Sequence, residues 1–295
     1  MDSLADTDIR AIEKKATDIR ATIIEMLTVA KSGHLAGPLG MADIFTALYF
    51  HVLKHDPKNP DWAERDRLFL SNGHICPVRY AAMAHAGYFP VEECLTLRKF
   101  GSRLQGHPER EVLPGLESTS GPLGSGLSQA AGYSYAARIP VKESPDSHGA
   151  GDKNFRVYCV TSDGEHQEGN TWEAIMFAGK YRLSNLVCIM DRNNIQIDGN
   201  TEDIMPLEPL ADKYRAFNWH VIEVDGHNIR QFIDACDEAG AIPGKPTLIL
   251  AQIPPGKGIP QMENDYRWHG GGPGKGVPSE EQKGPFLEAV KRSYA

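Results

Sequence analysis

Apolar residues recur at three- and four-residue steps through Ile9, Ile12, Ala16, Ile19, Ile23, Met26, Leu27 and Ala30. One such stripe predicts an amphipathic helix from Asp8 onward. Thr7 or Asp8 is placed to cap it and Gly33 to stop it. A second helix is expected from Met41 to Val52, and Arg67-Leu-Phe-Leu-Ser71 reads as a short buried strand. The middle is more regular. Phe155-Arg-Val-Tyr-Cys-Val-Thr161 is a β-rich run, followed by a polar turn and a helical stretch from Asn170 to Tyr181 with Trp172, Ile175, Met176 and Ala178 on its apolar side. Leu186 to Met190 is again continuously apolar. Trp219 to Asp225 predicts a strand, Ile229 to Ala239 a helix, and Thr247 to Ile253 a further strand.

Near-continuous apolar strands alternating with amphipathic helices indicate a doubly wound α/β fold, a mainly parallel sheet with helices on both faces. Ligands in such folds lie beyond the carboxyl ends of the strands. Chemistry is therefore to be sought just after Thr161, Met190 and Asp225. We find no internal repeat and expect one domain over residues 1–295, with a polar surface excursion at 140–154. Ser279 opens a terminal helix that reaches Tyr294.

Composition narrows the function. Lys+Arg 31 against Asp+Glu 39 leaves a net charge of −8, which argues against nucleic-acid binding and against attraction to an anionic membrane. No apolar run approaches the roughly 20 residues of a membrane span. The acidic start, Met1-Asp2-Ser3-Leu4-Ala5-Asp6, is unlike a signal peptide, so a cytoplasmic location is expected. The five cysteines, Cys76, Cys94, Cys159, Cys188 and Cys236, form no Cys-x-x-Cys pair and read as structural.

The most specific feature is Ser162-Asp163-Gly164-Glu165, followed about thirty residues later by Asn193-Asn194-Ile195. Both clusters follow predicted parallel strands joined by one helix, a crossover that brings the two strand ends together. A carboxylate, an amide oxygen and a backbone carbonyl meeting there suit a hard cation such as Mg²⁺ or Ca²⁺, not zinc. Two ordinary βα turns account for the same residues, since Asp-Gly and Asn-Asn are common turn dipeptides. His34, His74, His107 and His269 each sit beside a glycine on a turn, from which a side chain can enter a cleft. His51, His55, His85, His148, His166, His220 and His227 read as surface or satisfied core residues, His166 being close to the acidic turn. Gly121-Pro-Leu-Gly124-Ser-Gly126 lacks the strand and spacing of a dinucleotide loop and reads as the start of a helix. Pro254-Pro-Gly-Lys257-Gly258 reads as a flexible loop near the mouth of the site.

Asp-Gly, about thirty residues, then Asn resembles the thiamine-diphosphate-binding motif, and its surroundings resemble the transketolase family. Ser32-Gly-His34-Leu-Ala-Gly-Pro38-Leu-Gly-Met41, Ser71-Asn-Gly-His74, Gly106-His107-Pro108, Thr119-Ser-Gly121-Pro-Leu123-Gly124, Gln167-Glu168-Gly169 and Trp268-His269-Gly270 are similar to family segments in order. The resemblance runs from about residue 8 to the end of the chain. Ser162 stands where the family has glycine. The chain resembles only the first half of a full transketolase. The aminopyrimidine-binding and C-terminal domains, with the glutamate that activates the cofactor ring, are not in it.

The resemblance implies the diphosphate-side subunit of a split transketolase, which transfers a two-carbon glycolaldehyde unit from a ketose or ketose phosphate to an aldose or aldose phosphate. Its partner would be a second subunit carrying the other two domains, in an α2β2 heterotetramer. The implied cofactors are thiamine diphosphate and Mg²⁺, with Ca²⁺ or Mn²⁺ as substitutes. Asp163, Asn193 and the Ile195 carbonyl would hold the metal. Gly164 would give an N–H to phosphate, His74 and His269 would meet the diphosphate end, and Ile197 would pack on the thiazolium ring. Gly121 and Leu123 would line the aminopyrimidine side, with His34 also at the cofactor. His34, His107 and His269 would serve the sugar hydroxyls as catalytic groups, and Glu168 would meet the partner's activating glutamate. Rival readings are another split thiamine-diphosphate enzyme (a 2-oxo-acid dehydrogenase component, or one like 1-deoxyxylulose-phosphate synthase) and a non-catalytic scaffold that keeps the fold.

Overall fold

The computed structural model describes residues 4–139 and 155–292. The expected excursion at 140–154, with His148, lies outside the described residues, as does the end of the terminal helix. In chain order the elements are α1 (Asp6–Ala30), α2 (Ala36–Gly40), α3 (Ala42–Ala47), β1 (Arg67–Leu70), α4 (Cys76–His85), α5 (Ser125–Ala136), β2 (Val157–Ser162), α6 (Gly169–Lys180), β3 (Leu186–Arg192), β4 (Ile195–Gln196), β5 (Gly199–Asn200), α7 (Thr201–Ile204), α8 (Leu210–Ala216), β6 (His220–Asp225), α9 (Ile229–Ala241), β7 (Thr247–Gln252) and α10 (Glu280–Arg292).

Five strands form one parallel sheet in the order β1-β2-β3-β7-β6, and β4 and β5 make a small antiparallel hairpin beyond β3. Successive strand side chains point to opposite faces, and each face has its own core. Tyr158 and Val160 of β2 and Val187 and Ile189 of β3 pack with α1, α3, α4, α9 and α10, through residues such as Ile23, Phe45, Tyr80, Phe232 and Phe286. Val157, Cys159, Leu186 and Cys188 pack against α5, α6 and α8, through Leu127, Ile175 and Tyr214. Cover on both faces is why these strands read as unbroken apolar runs. All five cysteines are free and buried, as expected of small apolar residues. No helix among the described residues is long and apolar enough to cross a membrane.

Several boundaries differ from expectation. Helix α1 starts at Asp6 behind Ala5, which makes no side-chain cap, so neither Thr7 nor Asp8 caps it. It ends when Lys31, not Gly33, takes the left-handed conformation (φ 56°) and donates its N–H to the Leu27 carbonyl. The expected helix from Met41 to Val52 is present: α3 continues without a break into wider helical turns over Leu48–Val52, closed by the Leu53 N–H on the Leu48 carbonyl at 2.8 Å. Met176 lies on the outer side of α6, 55% exposed. Ser279 does cap α10: its hydroxyl accepts from the Gln282 N–H and its own N–H donates to the Gln282 side chain, a reciprocal pair that satisfies two end groups.

A buried ion triad braces the end of the sheet nearest the chemistry. Arg20 of α1 makes a two-pronged contact with Asp43 of α3 (3.0 and 2.6 Å), and its Nε donates to the Leu39 carbonyl of α2. His227, beyond β6, lies 2.8 Å from the same carboxylate. Burial works to raise the Asp43 pKa, but Arg20 and His227 together hold it below the usual carboxylate range. Breaking such a pair by removing one partner costs about 3–5 kcal/mol, so the segment that follows His34 is rigidly placed.

Candidate active site

The ends of β2 and β3 are tied to one another by backbone and side chains. The Asp163 N–H donates to the Asp191 carbonyl at 3.2 Å. Asp163 Oδ2 accepts from the Asn194 N–H at 2.6 Å and from Arg192 Nη1 at 2.9 Å, while Oδ1 accepts from the Gly164 N–H at 2.7 Å. Asn193 Oδ1 accepts from the Ile195 N–H at 3.0 Å. A Cβ added at Gly164 would stand 3.2 Å from Gln196 Cβ and 3.8 Å from the Ile195 carbonyl oxygen, so the acidic turn packs directly on β4. The structure thus brings Asp163, Gly164, Asn193 and Ile195 into one corner. Burial pushes the Asp163 carboxyl up to about 6, with the Arg192 guanidinium pulling the other way.

Three of the four glycine-flanked histidines form a second group. The rings of His34 and His74 are 4.8 Å apart, those of His74 and His269 5.2 Å, and those of His34 and His269 5.5 Å. Gly33 and Gly271 exchange two backbone hydrogen bonds (3.2 and 2.9 Å), which fastens the loop carrying His34 to the one carrying His269. A Cβ at Gly270 would fall 2.5 Å from the His34 ring, so only glycine allows that approach. Burial, then the neighbouring His269, Arg98 and His107, lower the His34 pKa to about 3; burial lowers His269 to about 4. Burial and the neighbouring His34, His269 and His107 hold His74 well below the ordinary value. These rings are neutral imidazoles near pH 7, each offering one donor and one acceptor.

His107 is exposed, its pKa lowered by partial burial and then by Arg98. The Arg98 guanidinium lies over Gly106, where an added Cβ would meet it at 2.8 Å. Gly121 and Leu123 are half-buried, and a Cβ at Gly73 would meet Ser120 at 2.8 Å, so the loop bearing His74 packs on the loop bearing Gly121. Glu168 is exposed at the start of α6, and Ile197 is 68% exposed on the β4–β5 hairpin. His166 keeps a structural role, its ring held between the Ser162 carbonyl at 2.7 Å and the Tyr214 hydroxyl at 2.6 Å. Four of the other histidines expected to be structural or superficial have partners, His55 with the Tyr49 carbonyl, His85 with Thr22, His220 with Glu238 and His227 with Asp43, and His51 is exposed. The loop at 254–258 is anchored rather than flexible, because the Gly256 N–H donates to the Ala36 carbonyl at 2.8 Å.

Sequence reasoning passed over three polar residues here. Glu165 is buried and gathers the Ser71 hydroxyl, the Gly124 N–H and, at 3.2 Å, the Ser162 N–H, so one carboxylate joins the ends of β1 and β2 to the start of α5. Burial pushes it up to about 7. Arg192 binds Asp163, Thr201, Glu202 and Glu208 together. Asp191 is buried with no hydrogen-bond partner on either oxygen. Of these, Glu165 alone carried a sequence signal, its place inside the acidic turn.

A cation and an anionic ligand fit this arrangement. Orphaned buried polar atoms cluster on the loops concerned: His34 Nδ1, both side-chain atoms of Asn72, Ser120 Oγ and both Asp191 oxygens. Buried polar groups without partners are expected to be few, and each wants an explanation. Among the described residues no three His, Cys, Asp or Glu side chains gather as a self-sufficient metal cage. The donors that the corner does bring together, one carboxylate, one amide oxygen and one backbone carbonyl, are the oxygen ligands a hard cation takes.

A family profile described as transketolase, thiamine diphosphate binding domain, matches residues 12–280. The chain is 41% identical over 258 residues to a 6-deoxy-6-sulfo-D-fructose transketolase subunit of a Clostridium species, covering 88% of this chain and 90% of that protein. It is 36% identical over 283 residues to one subunit of an apulose-4-phosphate transketolase of Phocaeicola vulgatus, covering 96% of this chain and 94% of that one. Among solved structures, transketolase from Leishmania mexicana superposes with a TM-score of 0.84 at 35% identity, over 96% of this chain but 41% of that one.

Proposed function

The chain belongs to the transketolase thiamine-diphosphate-binding family, and from that premise we propose that it is the diphosphate-side subunit of a two-chain, Mg²⁺-dependent transketolase acting in the cytoplasm. The observation that carries this reading is that the chain aligns with nearly the whole of two proteins that are themselves named as transketolase subunits. The partner would bring the remaining domains, in an α2β2 assembly. One relative is named for a sulfonated ketose and the other for a phosphorylated one, which supports a ketose donor with an anionic terminus.

Asp163, the Asn193 oxygen and the Ile195 carbonyl would hold the Mg²⁺. Both Asp163 oxygens already accept protein hydrogen bonds, Oδ2 two of them and Oδ1 one, so Oδ1 is the atom with a lone pair to spare. Without a metal, an acidic corner repels a diphosphate; at 4 Å one charge pair is worth about 4 kcal/mol at an effective dielectric of about 20, so the ion decides the sign. Thiamine diphosphate supplies, when bound, the electron sink that lets a carbon–carbon bond beside a ketose carbonyl break and re-form. The Gly164 N–H, which donates to Asp163 Oδ1 in the structure, would have to turn from that carboxylate to reach a phosphate oxygen, and His74 and His269 would meet the same diphosphate end, with His34 alongside. Gly121 and Leu123 would line the ring side, and Ile197 would offer an apolar surface to the thiazolium.

His34, His107 and His269 would orient the sugar hydroxyls and hold or pass protons there, work suited to rings that are neutral at physiological pH. The exposed Glu168 would meet the partner's glutamate. The test is reconstitution. The purified chain alone should show no glycolaldehyde transfer from a panel of phosphorylated and sulfonated ketoses, and activity should appear when the partner subunit is added. Full turnover by the chain alone, or turnover of 2-oxo acids in place of ketoses, overturns the reading.

A further inference from the structure

Asp191 is the penultimate residue of β3, two positions before Asn193. Its backbone is fixed in the sheet, paired with Ser162 of β2 and Ala251 of β7, and its carbonyl accepts the Asp163 N–H. Alternation along β3 sends its side chain to the face of Val187 and Ile189, into the protein, where it is 1% exposed. Neither carboxylate oxygen has a hydrogen-bond partner. The polar side chain beside it is the Asn193 amide, close but short of hydrogen-bond geometry, and the charge that acts on it is the like one of Asp163. Arg192, the next residue, points its guanidinium the other way, to Asp163, Glu202 and Glu208. Asp163 therefore has a guanidinium against it, and Asp191 has no cationic partner among the described residues.

We propose that Asp191 is a positioning residue of the metal site: its carboxylate receives an N–H of the Asn193 amide, turning the Asn193 oxygen to the ion, and it supplies the second negative charge that a divalent cation neutralises. This deepens the proposed function and rests on it. An amide can present either its oxygen or its nitrogen, and a carboxylate behind it allows only the arrangement with oxygen outward. Groups that orient metal ligands from behind commonly change metal affinity 10–100-fold when removed. A carboxylate kept only for the fold would have donors of its own within the protein, as Glu165 has.

The experiment compares wild type, Asp191→Asn and Asp191→Ala, each as the full chain with its partner subunit. Calorimetry reads the Mg²⁺-dependent affinity for thiamine diphosphate, and thermal melting is followed in EDTA and with Mg²⁺ plus cofactor. Both variants should bind about 10–100-fold more weakly, while Asp191→Asn melts in EDTA at or above the wild-type temperature because an amide of the same shape replaces a buried carboxyl that has no partner. Wild-type affinity in Asp191→Asn overturns the proposal. So does a loss of stability in EDTA as large as the loss with cofactor, or a failure of both variants to fold, since either marks an ordinary structural residue. If wild type shows no Mg²⁺-dependent binding, the proposed function itself fails, a result distinguishable because it precedes any variant.

Discussion

Arg192 Nη1 stands 2.9 Å from Asp163 Oδ2, a buried ion pair that joins the end of β3 to the turn after β2. The guanidinium is 3% exposed and its other donors reach Thr201, Glu202 and Glu208. One arginine therefore joins α7 and the segment after it, through Thr201, Glu202 and Glu208, to the acidic turn. A carboxylate aimed in this way needs little reorganisation when an ion arrives, which is what a preorganised binding corner requires.

Asp163→Ala removes the one charged side chain proposed to touch the ion. A charge pair worth about 4 kcal/mol at an effective dielectric of about 20 corresponds to roughly a thousandfold in affinity. Calorimetry with Mg²⁺ and thiamine diphosphate should show a loss of that order, with the chain still folded by circular dichroism. An unchanged affinity removes Asp163 from the metal site.

Arg192→Met leaves Asp163 and its neighbours without their shared cation. Removing one partner of a buried pair costs about 3–5 kcal/mol, and the lower end is expected because Glu202 and Glu208 can turn to solvent. Urea unfolding in EDTA should show this loss, and added Mg²⁺ with cofactor should recover part of it. A change below about 1 kcal/mol, as for an exposed pair, contradicts the bracing role.

The strands and the doubly wound arrangement were legible because burial on both faces writes itself as runs such as Leu186 to Met190. Asp163 and Asn193 were legible because each directly follows such a run. Arg192 and Glu165 were not, since their meaning lies in contacts across the fold: the Ser71 hydroxyl that Glu165 binds is 94 residues away in the chain. Asp191 was hidden for another reason. It continues an apolar strand in sequence, and only the folded arrangement reveals that nothing among the described residues satisfies it. The end of α1 at Lys31 was missed because a lysine, not the glycine two residues on, takes the left-handed cap position.

Gly270→Ala tests the close approach of two loops. The new Cβ would lie 2.5 Å from the His34 ring, so the ring or the Gly33–Gly271 backbone pair must shift. Overpacking of this kind costs about 1–3 kcal/mol, and a misplacement of about 1 Å at a reacting centre costs on the order of 100-fold in rate. Steady-state assay of the reconstituted enzyme should show that fall; wild-type turnover places His34 outside the chemistry.

The histidine group sets an acid limit. His34 and His269 have folded-state pKa values lowered to about 3 and about 4, from 6.5. Between 6.5 and those values the unfolded chain binds protons that the folded one refuses, so their contribution is present above 6.5 and lost as the pH falls through about 4 and about 3. Asp163 and Glu165, raised to about 6 and about 7, act in the opposite sense. The telling comparison is therefore variant against parent. Melting temperature in His34→Asn should fall less steeply than in wild type from about pH 6.5 to about pH 4.5, and parallel curves refute the assignment.

His107 differs from the other three in being exposed and outside their ring contacts. Such a residue adds little to the fold and little to a buried diphosphate, yet it can reach a substrate entering from solvent beside Arg98. His107→Ala should lower kcat of the reconstituted enzyme by roughly 10²–10⁴-fold, the usual contribution of a positioned proton carrier. Cofactor affinity and melting temperature should stay close to wild type. His107→Asn, which keeps a hydrogen-bond donor but cannot carry a proton, separates the two kinds of help. If it restores most of the rate, His107 orients the sugar; if it is as slow as alanine, His107 moves the proton. An unaltered kcat in both variants removes it from the reaction.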